Sequence, residues 1–169
     1  MLPKMPKLTK GRYRARLAET ADDIADAQAL RTLAFRTGTV DRDGFDDTCA
    51  HVLIDDVRTG TLACCFRMLV LEGGADVPKS YSAQYYELSA LQGFDGRMVE
   101  MGRFCIHPEL KDPDILRVAW GAMTAFVDDN DIAMLFGCSS FAGTETEEYL
   151  DAFAMLKARH LAPKRWWPR

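Results

Sequence analysis

The stretch 99–120, VEMGRFCIHPELKDPDILRVAW, carries a carboxylate and a guanidinium on one apolar strand and then runs straight into a helix start. Glu100 is a candidate general base and Arg103 a candidate holder of negative charge, two roles that proton-transfer chemistry on an ionic substrate needs. They stand three positions apart on a strand expected over 98–106, so a regular strand points them to opposite faces. Either one charge enters the interior or a bulge turns the chain, and bulges gather beside active sites. The plain alternative is a surface Glu-Arg pair across a sheet edge.

The elements that must position these residues follow from periodicity and punctuation. A strand is expected over 13–18. Thr20 then opens a helix with Asp22 and Asp23 at its positive end and Ile24, Ala27, Leu30 and Ala34 on one face, stopping near Gly38. A polar loop over 37–50 leads into strands 51–57 and 62–71, joined by a hairpin turn at Arg58, Thr59 and Gly60. Gly73 and Gly74 break the second strand, and 81–91 fits neither pattern. Pro108 ends the strand 98–106, and Asp112 with Pro113 starts a helix whose apolar side is Ile115, Ala119, Ala122 and Phe126. The apolar run 132–141 suits a buried strand, and Thr144 with Glu147 forms a capping box for a last helix through Arg159. This is an α/β order in which the last βαβ unit should be parallel and right-handed. With 169 residues, 48% of them hydrophobic, the whole span 1–169 is expected to form a single domain.

No apolar run reaches 18 residues and the N-terminus lacks an apolar core, so neither a spanning helix nor a signal peptide is expected, and synthesis should be cytoplasmic. The five cysteines include no CxxC pair, and with three histidines beside them they fit reduced core residues rather than a zinc site or a disulfide framework. No metal is expected. The net charge of −4 hides an asymmetry: residues 1–16 hold six Lys or Arg and no acid, and 157–169 hold five and no acid. The middle holds ten basic residues against all 25 acidic ones, a balance of −15. A basic N-terminal arm over about 1–11 and a basic C-terminal end suit an anionic partner, a phospholipid surface or an acidic carrier protein, unless they are simply frayed ends. Nucleic acid is not expected, because no aromatic residues interleave with a basic stripe.

Four islands resemble a known family: LRTLAF at 30–35, DGFDDTCAHVLIDD at 43–56, EMGRFCIHP with DPDILRVAW within 100–120, and LFGCSSFAGTETEEY at 135–149. Together they are similar to the GNAT acyltransferases, in the branch of ornithine N-acyltransferases that begin ornithine-lipid synthesis from acyl carrier protein thioesters. They are more faintly similar to acyl-homoserine-lactone synthases, whose charged pattern falls here on Arg31, Phe35, Asp43, Asp46, Arg67, Glu100 and Arg103. The resemblance implies the GNAT fold, a central mixed and mostly antiparallel sheet flanked by helices. It also implies transfer of a 3-hydroxyacyl chain from acyl carrier protein to the α-amino group of L-ornithine, giving lyso-ornithine lipid, with no bound cofactor and possible contact with the inner face of a membrane. Two departures matter. The segment 107–114, HPELKDPD, has no glycine with which to cradle a diphosphate, so coenzyme A is disfavoured and a carrier's phosphopantetheine arm fits better. Members of the branch also continue beyond the residue matching Arg169, so this is a short member or an incomplete one.

Under that resemblance each residue takes a chemical role. An amine attacking a thioester must lose a proton, which Glu100 takes directly or through a water. A bulge near 101–104, eased by Gly102, offers a backbone N–H to the oxyanion. Arg103 orients the surroundings of Glu100 or binds the amino-acid carboxylate, with Arg31 and Arg67 as further candidates for that contact. Asp43, Asp46 and Asp47 either recognise the side-chain ammonium or form a solvated acidic loop. Ser139, Ser140 and Thr144 bind the pantetheine arm or cap the last helix. Phe104, Trp120, Phe126, Phe136 and Phe141 line an acyl tunnel or are plain core. His107 is a second candidate base or a turn residue, His51 is structural, and Cys105 is core rather than the seat of an acyl-enzyme. The alternatives keep the chemistry but change the acceptor, to another amino acid or to the substrate of the lactone synthases, or else make the chain a non-catalytic carrier- or membrane-binding module.

Overall fold

The apolar runs pair as neighbours in sequence order. In the computed structural model, which describes residues 3–141, 143 and 145–169, one sheet has the order β1-β2-β3-β4-β5-β6. Its strands are Leu8–Lys10 (β1), Tyr13–Leu17 (β2), Ala50–Asp56 (β3), Thr61–Leu71 (β4), Arg97–Ile106 (β5) and Ile132–Gly137 (β6). The helices are Ala21–Phe35 (α1), the single turn Ser89–Gln92 (α2), Pro113–Asp129 (α3) and Leu150–Arg159 (α4). Neighbouring strands are antiparallel except β5 and β6, which run parallel across α3 as the βαβ order required.

Local chemistry sets the helix starts. The Thr20 hydroxyl accepts the Asp23 N–H while the Asp23 carboxylate accepts the Thr20 N–H, a reciprocal cap worth about 1 kcal/mol. Helix α1 ends at Phe35 rather than near Gly38, because Arg36 turns left-handed at φ 54° and closes the helix itself. At α3 the Asp112 carboxylate accepts the Asp114 N–H, and Pro113 sits where a missing N–H costs nothing.

The two faces of the sheet are covered by different helices. Side chains alternate along β3 and β4, so Val52, Ile54 and Cys64 meet α3 while Leu53 and Cys65 meet Ala27 and Leu30 of α1. The segment 74–92, of which 81–91 fits neither helix nor strand pattern, folds as short turns that bury Val77, Leu88 and Leu91 against Leu71 and Met98.

Two expectations are corrected, and the frayed-end alternative does not hold for the described part of the N-terminus. The basic arm over 1–11 does not hang free among the described residues: Leu8–Lys10 pairs with β2, Leu8 packs on the core, and Lys4 exchanges two backbone hydrogen bonds with the Asn130 side chain. A three-residue strand is too short to show periodicity in sequence. The run 132–141 forms a strand only as far as Gly137, and that strand is a half-exposed edge rather than a buried one, since among the described residues no strand lies beyond it. Thr144 lies outside the described residues; the last helix begins at Leu150 after a turn over Thr146–Tyr149, and its side chains are exposed almost throughout.

Gly137 fixes how closely β6 approaches β5. A Cβ there would stand 2.3 Å from the Met101 carbonyl oxygen, on backbone at φ 158°. Gly137→Ala is therefore expected to cost about 1–3 kcal/mol through overpacking against rigid backbone, read as a lower thermal midpoint. An unchanged midpoint would contradict this close approach.

Candidate active site

Strand β5 contains one more residue than its partner β4 across the middle of their ladder. Cys65 faces Cys105 and Arg67 faces Gly102, so Phe66 stands opposite both Arg103 and Phe104. Arg103 takes the left-handed conformation at φ 54°. Gly102, expected to ease the bulge, is the neighbour of the strained position and not its seat; an arginine held left-handed is strain of order 1–2 kcal/mol that its surroundings must offset. Both possibilities raised by the three-residue spacing occur together: Glu100 enters the interior at 4% exposure, and the bulge turns Arg103.

Pairing of β5 with β6 ends at Met101 and Gly137. Where the strands part, a cavity of about 670 Å³ opens, lined by the polar side chains Arg67, Tyr81, Glu100, Arg103 and Cys138 and by the apolar side chains Phe35, Leu69, Phe104, Leu116 and Trp120. Ser139 and Ser140 also line it, just beyond β6.

Six ions lie beneath the bulge. Arg31 holds Asp46 through two contacts of 2.7 and 2.9 Å and Asp41 at 2.8 Å; Arg67 holds Asp43 at 2.6 and 2.8 Å and Asp46 at 2.9 Å. Arg103 reaches Asp41 at 3.2 Å and Asp43 at 3.4 Å and lies 5.1 Å from the Tyr81 ring centre. Side-chain exposure falls from 27% at Arg103 to 4% at Arg67 and 1% at Arg31. Arg31 is thus a structural ion rather than a contact for a substrate carboxylate, and it does not line the cavity. Asp46 is likewise enclosed by Arg31, Arg67 and Gln28 and cannot receive an ammonium from outside. Burial alone would raise the Asp46 carboxyl, but the hydrogen bonds from Arg31 and Gln28 overcome it and hold the group well below the usual carboxylate range. Asp43 is lowered in the same way, burial being outweighed by Arg67. Burial drives His51 below its ordinary value, and its neutral ring donates from Nε2 to the Asp46 carbonyl at 3.0 Å.

Glu100 sits among donors rather than in an apolar cleft. Its Oε1 accepts the Ser82 N–H at 2.7 Å and the Ser82 hydroxyl at 2.5 Å, and its Oε2 accepts the Tyr81 N–H at 2.7 Å. Oε2 therefore keeps a lone pair uncommitted to these bonds. The Ser82 oxygen also lies 3.1 Å from Cys138 Sγ.

The structure brings Glu100, Arg103, Arg67, Phe35, Phe104, Trp120, Ser139 and Ser140 to one cavity. It removes Phe126 to the core and Phe136 to the cluster around Met98, and it packs Phe141 against Tyr149 and Phe153 outside the cavity. His107 lies by a smaller cavity near α1, and Cys105 is buried with its sulfur 3.6 Å from Cys65. Asp41, Tyr81, Ser82 and Cys138 escaped sequence reasoning. Asp41 shares a loop with Asp43 and was within reach, whereas 81–82 lies in a segment without periodicity and reveals itself only through tertiary contact with β5.

A mixed sheet whose parallel pair parts beside a bulge, over a cavity lined by both charged and apolar side chains, is the GNAT acyltransferase architecture. Residues 27–121, more than half of the chain, match the acetyltransferase (GNAT) domain, and the chain belongs to that family. Among curated proteins it is similar to the L-ornithine N(alpha)-acyltransferase of Rhodobacter capsulatus, 29% identical over 93% of this chain and 67% of that protein. The enzyme of the same name from Brucella abortus is 28% identical over 79% of this chain and 54% of its own length, so this chain spans little more than half of some relatives. Among crystal structures, the AHL synthase LasI superposes with a TM-score of 0.53 at 19% identity, over 74% of this chain and 71% of that one. A Trypanosoma brucei acetyltransferase gives 0.52 at 10% identity, over 92% and 96%. Both likenesses are of fold.

Asp46 is the carboxylate that two buried guanidiniums share, so Asp46→Ala is expected to cost about 3–5 kcal/mol by leaving charge unpaired in the interior. Because its folded pKa is depressed, its contribution is complete above the ordinary carboxylate range near pH 4 and declines as pH falls below it. Denaturant midpoints should therefore fall progressively as pH is lowered from about pH 4 into strong acid, more in the native chain than in the variant; parallel curves would remove the assignment.

Proposed function

We propose that this chain is an N-acyltransferase that moves a 3-hydroxyacyl chain from acyl carrier protein to the α-amino group of L-ornithine, giving lyso-ornithine lipid. The observation that carries this reading is the meeting of charged and apolar side chains in one cavity at the point where β5 and β6 part. The names of the relatives from Rhodobacter and Brucella support the acceptor.

The acyl chain lies along Phe35, Leu69, Phe104, Leu116 and Trp120, and the thioester carbonyl sits over the bulge. There β5 has lost its pairing with β6, and its backbone N–H groups receive the charge that grows on oxygen. Arg103 binds the carboxylate of the acceptor, being the least enclosed guanidinium of the network and the one with the longest ionic contacts. Asp43 does not line the cavity and is held by Arg67, but as the most exposed carboxylate of the network, at 27% of its side chain, it is the one left to meet the side-chain ammonium. Glu100 takes one proton from the attacking amine through a water at the free lone pair of Oε2.

The start of α3 supports a carrier-bound donor. Asp112 occupies the cap, Pro113 has no N–H, and Asp114 adds a second carboxylate, so a coenzyme A diphosphate would meet two negative groups there in place of free donors. The five Lys and Arg of 157–169 suit the acidic carrier, and beside the exposed Leu150, Met155 and Leu156 they also suit peripheral contact with an anionic bilayer. Among the described residues no helix is long and apolar enough to cross a membrane.

The test is mass spectrometry of products after mixing the protein with 3-hydroxyacyl carrier protein and a pool of amino acids with S-adenosylmethionine, with acyl-coenzyme A in parallel. N-acyl ornithine from the carrier thioester alone is expected, and Glu100→Gln should slow it by about 10²–10⁴-fold with the fold intact. A lactone or another acylated amino acid would replace the acceptor, an undiminished Glu100→Gln would replace the base, and no product from either donor would overturn the reading. Flotation with anionic vesicles at low salt should carry the protein upward and fail at high salt; no binding at low salt would remove the bilayer contact.

A further inference from the structure

Two thiols face one another across the β4–β5 ladder just past the bulge. Cys65 of β4 and Cys105 of β5 are register partners on antiparallel strands, and their sulfurs lie 3.6 Å apart as free thiols. We propose that this pair is a site of reversible oxidation, at which a small hydroperoxide joins Cys65 to Cys105 as a cross-strand disulfide. Its chemistry is independent of acyl transfer.

The backbone already meets the requirement of such a bond. Residues directly opposite in an antiparallel ladder have Cα atoms about 4.5–5.5 Å apart, within the span of about 4.4–6.8 Å that disulfides tolerate. Both side chains stand on the sheet face that α1 covers, against Ala27, Leu30 and Leu53. The remaining cysteines lie elsewhere: Cys64 packs on the opposite face with α3, and Cys49 and Cys138 line the larger cavity. The pair is enclosed, with Cys65 1% and Cys105 6% exposed, which bars a bulky oxidant. Leu30, Leu53 and Leu62 pack on the pair and also wall the smaller cavity of about 370 Å³ beside His107, so a small neutral peroxide has an approach from that side. The hydrogen bond from Cys65, helped by the charge of Arg31, draws the Cys105 thiol below its ordinary value against the effect of burial, which makes Cys105 the attacking thiolate.

The step balances. The Cys105 proton passes to solvent, its thiolate attacks one oxygen of hydrogen peroxide, and the O–O bond breaks. Hydroxide leaves with the electron pair and takes up a proton to become water. Cys105 is then a sulfenic acid. The Cys65 sulfur attacks it, the S–O bond breaks, and the departing oxygen takes the Cys65 proton and leaves as a second water. Both sulfurs are oxidised and the peroxide oxygens reduced, and a dithiol reductant reverses the change. The bond closes a loop over 66–104 that contains Arg67, Tyr81, Glu100 and Arg103, so much of the polar lining of the larger cavity becomes tied at its base. Such a loop restricts the unfolded chain and raises stability.

The test treats the folded chain with hydrogen peroxide, caps the remaining thiols with iodoacetamide and maps the peptides by mass, in a Cys138→Ala background that prevents links between molecules. A peptide joining 65 to 105 is expected, together with a thermal midpoint about 5–15 °C higher, both reversed by dithiothreitol. Cys65→Ala and Cys105→Ala should each lose the link and the peroxide-dependent rise, measured against their own reduced midpoints. Oxidised glutathione, too bulky to approach, should leave the pair reduced. No link in the folded chain, a link that forms only in denaturant, or a link to another cysteine would overturn the proposal. So would Cys105 carried on to the sulfinic acid with Cys65 left as a thiol, since the partner would then have failed to reach it.

Discussion

Three guanidiniums and three carboxylates meet beneath the bulge of β5, and the arrangement of the site depends on their mutual neutralisation. Arg31 comes from α1, Arg67 from β4 and Arg103 from β5, whereas Asp41, Asp43 and Asp46 all come from the single loop between α1 and β3. A buried ion alone would cost several kcal/mol, so none of the six can be placed without the others. The loop lacks long regular structure and is folded around these cations. It in turn clamps the first helix to the middle of the sheet, beside the cavity.

Around that network the backbone of β5 does two things at once. It keeps its ladder to β4 on one side while losing β6 on the other, and the extra residue at Arg103 lets a guanidinium face the cavity from a strand whose alternation would have sent it elsewhere. Arg103 is held there by Asp41 and Asp43 and by the face of Tyr81. Tyr81 is itself placed by Glu100, which binds the N–H groups of residues 81 and 82. The carboxylate is therefore both a wall of the cavity and the peg that holds the irregular segment 74–92 against the sheet.

Charge is separated along the molecule in a way that suits the proposed chemistry. Beside the cavity the three guanidiniums and three carboxylates balance, with Arg103 the most exposed cation among them and Glu100 a further carboxylate in the lining, which suits an amino acid carrying both signs. The start of α3, where many nucleotide-binding folds present free N–H groups, is occupied by its own cap and its own carboxylates. Basic residues without acids collect at both ends, over 1–16 and 157–169, and the second segment docks back through Trp166 against Phe94 and through paired backbone bonds between Arg169 and Glu87.

The sequence by itself determined the elements whose causes are local. Thr20 with Asp23 and Asp112 with Pro113 specify the helix starts, Gly60 (φ 73°) suits the hairpin turn, and the three-residue spacing of Glu100 and Arg103 announced a buried charge or a bulge. Helix-start and turn chemistry acts over three or four residues, so it is legible in a string of letters. Tertiary structure alone decided which charges serve structure and which face a ligand. Arg31, Arg67 and Arg103 are the same residue type in similar apolar runs, and their roles diverge only because enclosure differs, from 1% to 27% of the side chain exposed. It alone joined Ser82 and Cys138 to Glu100, since residues 18 and 56 positions apart meet only when the segment 74–92 folds over β5 and β6 turns away at Gly137. Coulomb forces and hydrogen bonds act through space, and proximity in space is what a sequence read alone does not contain.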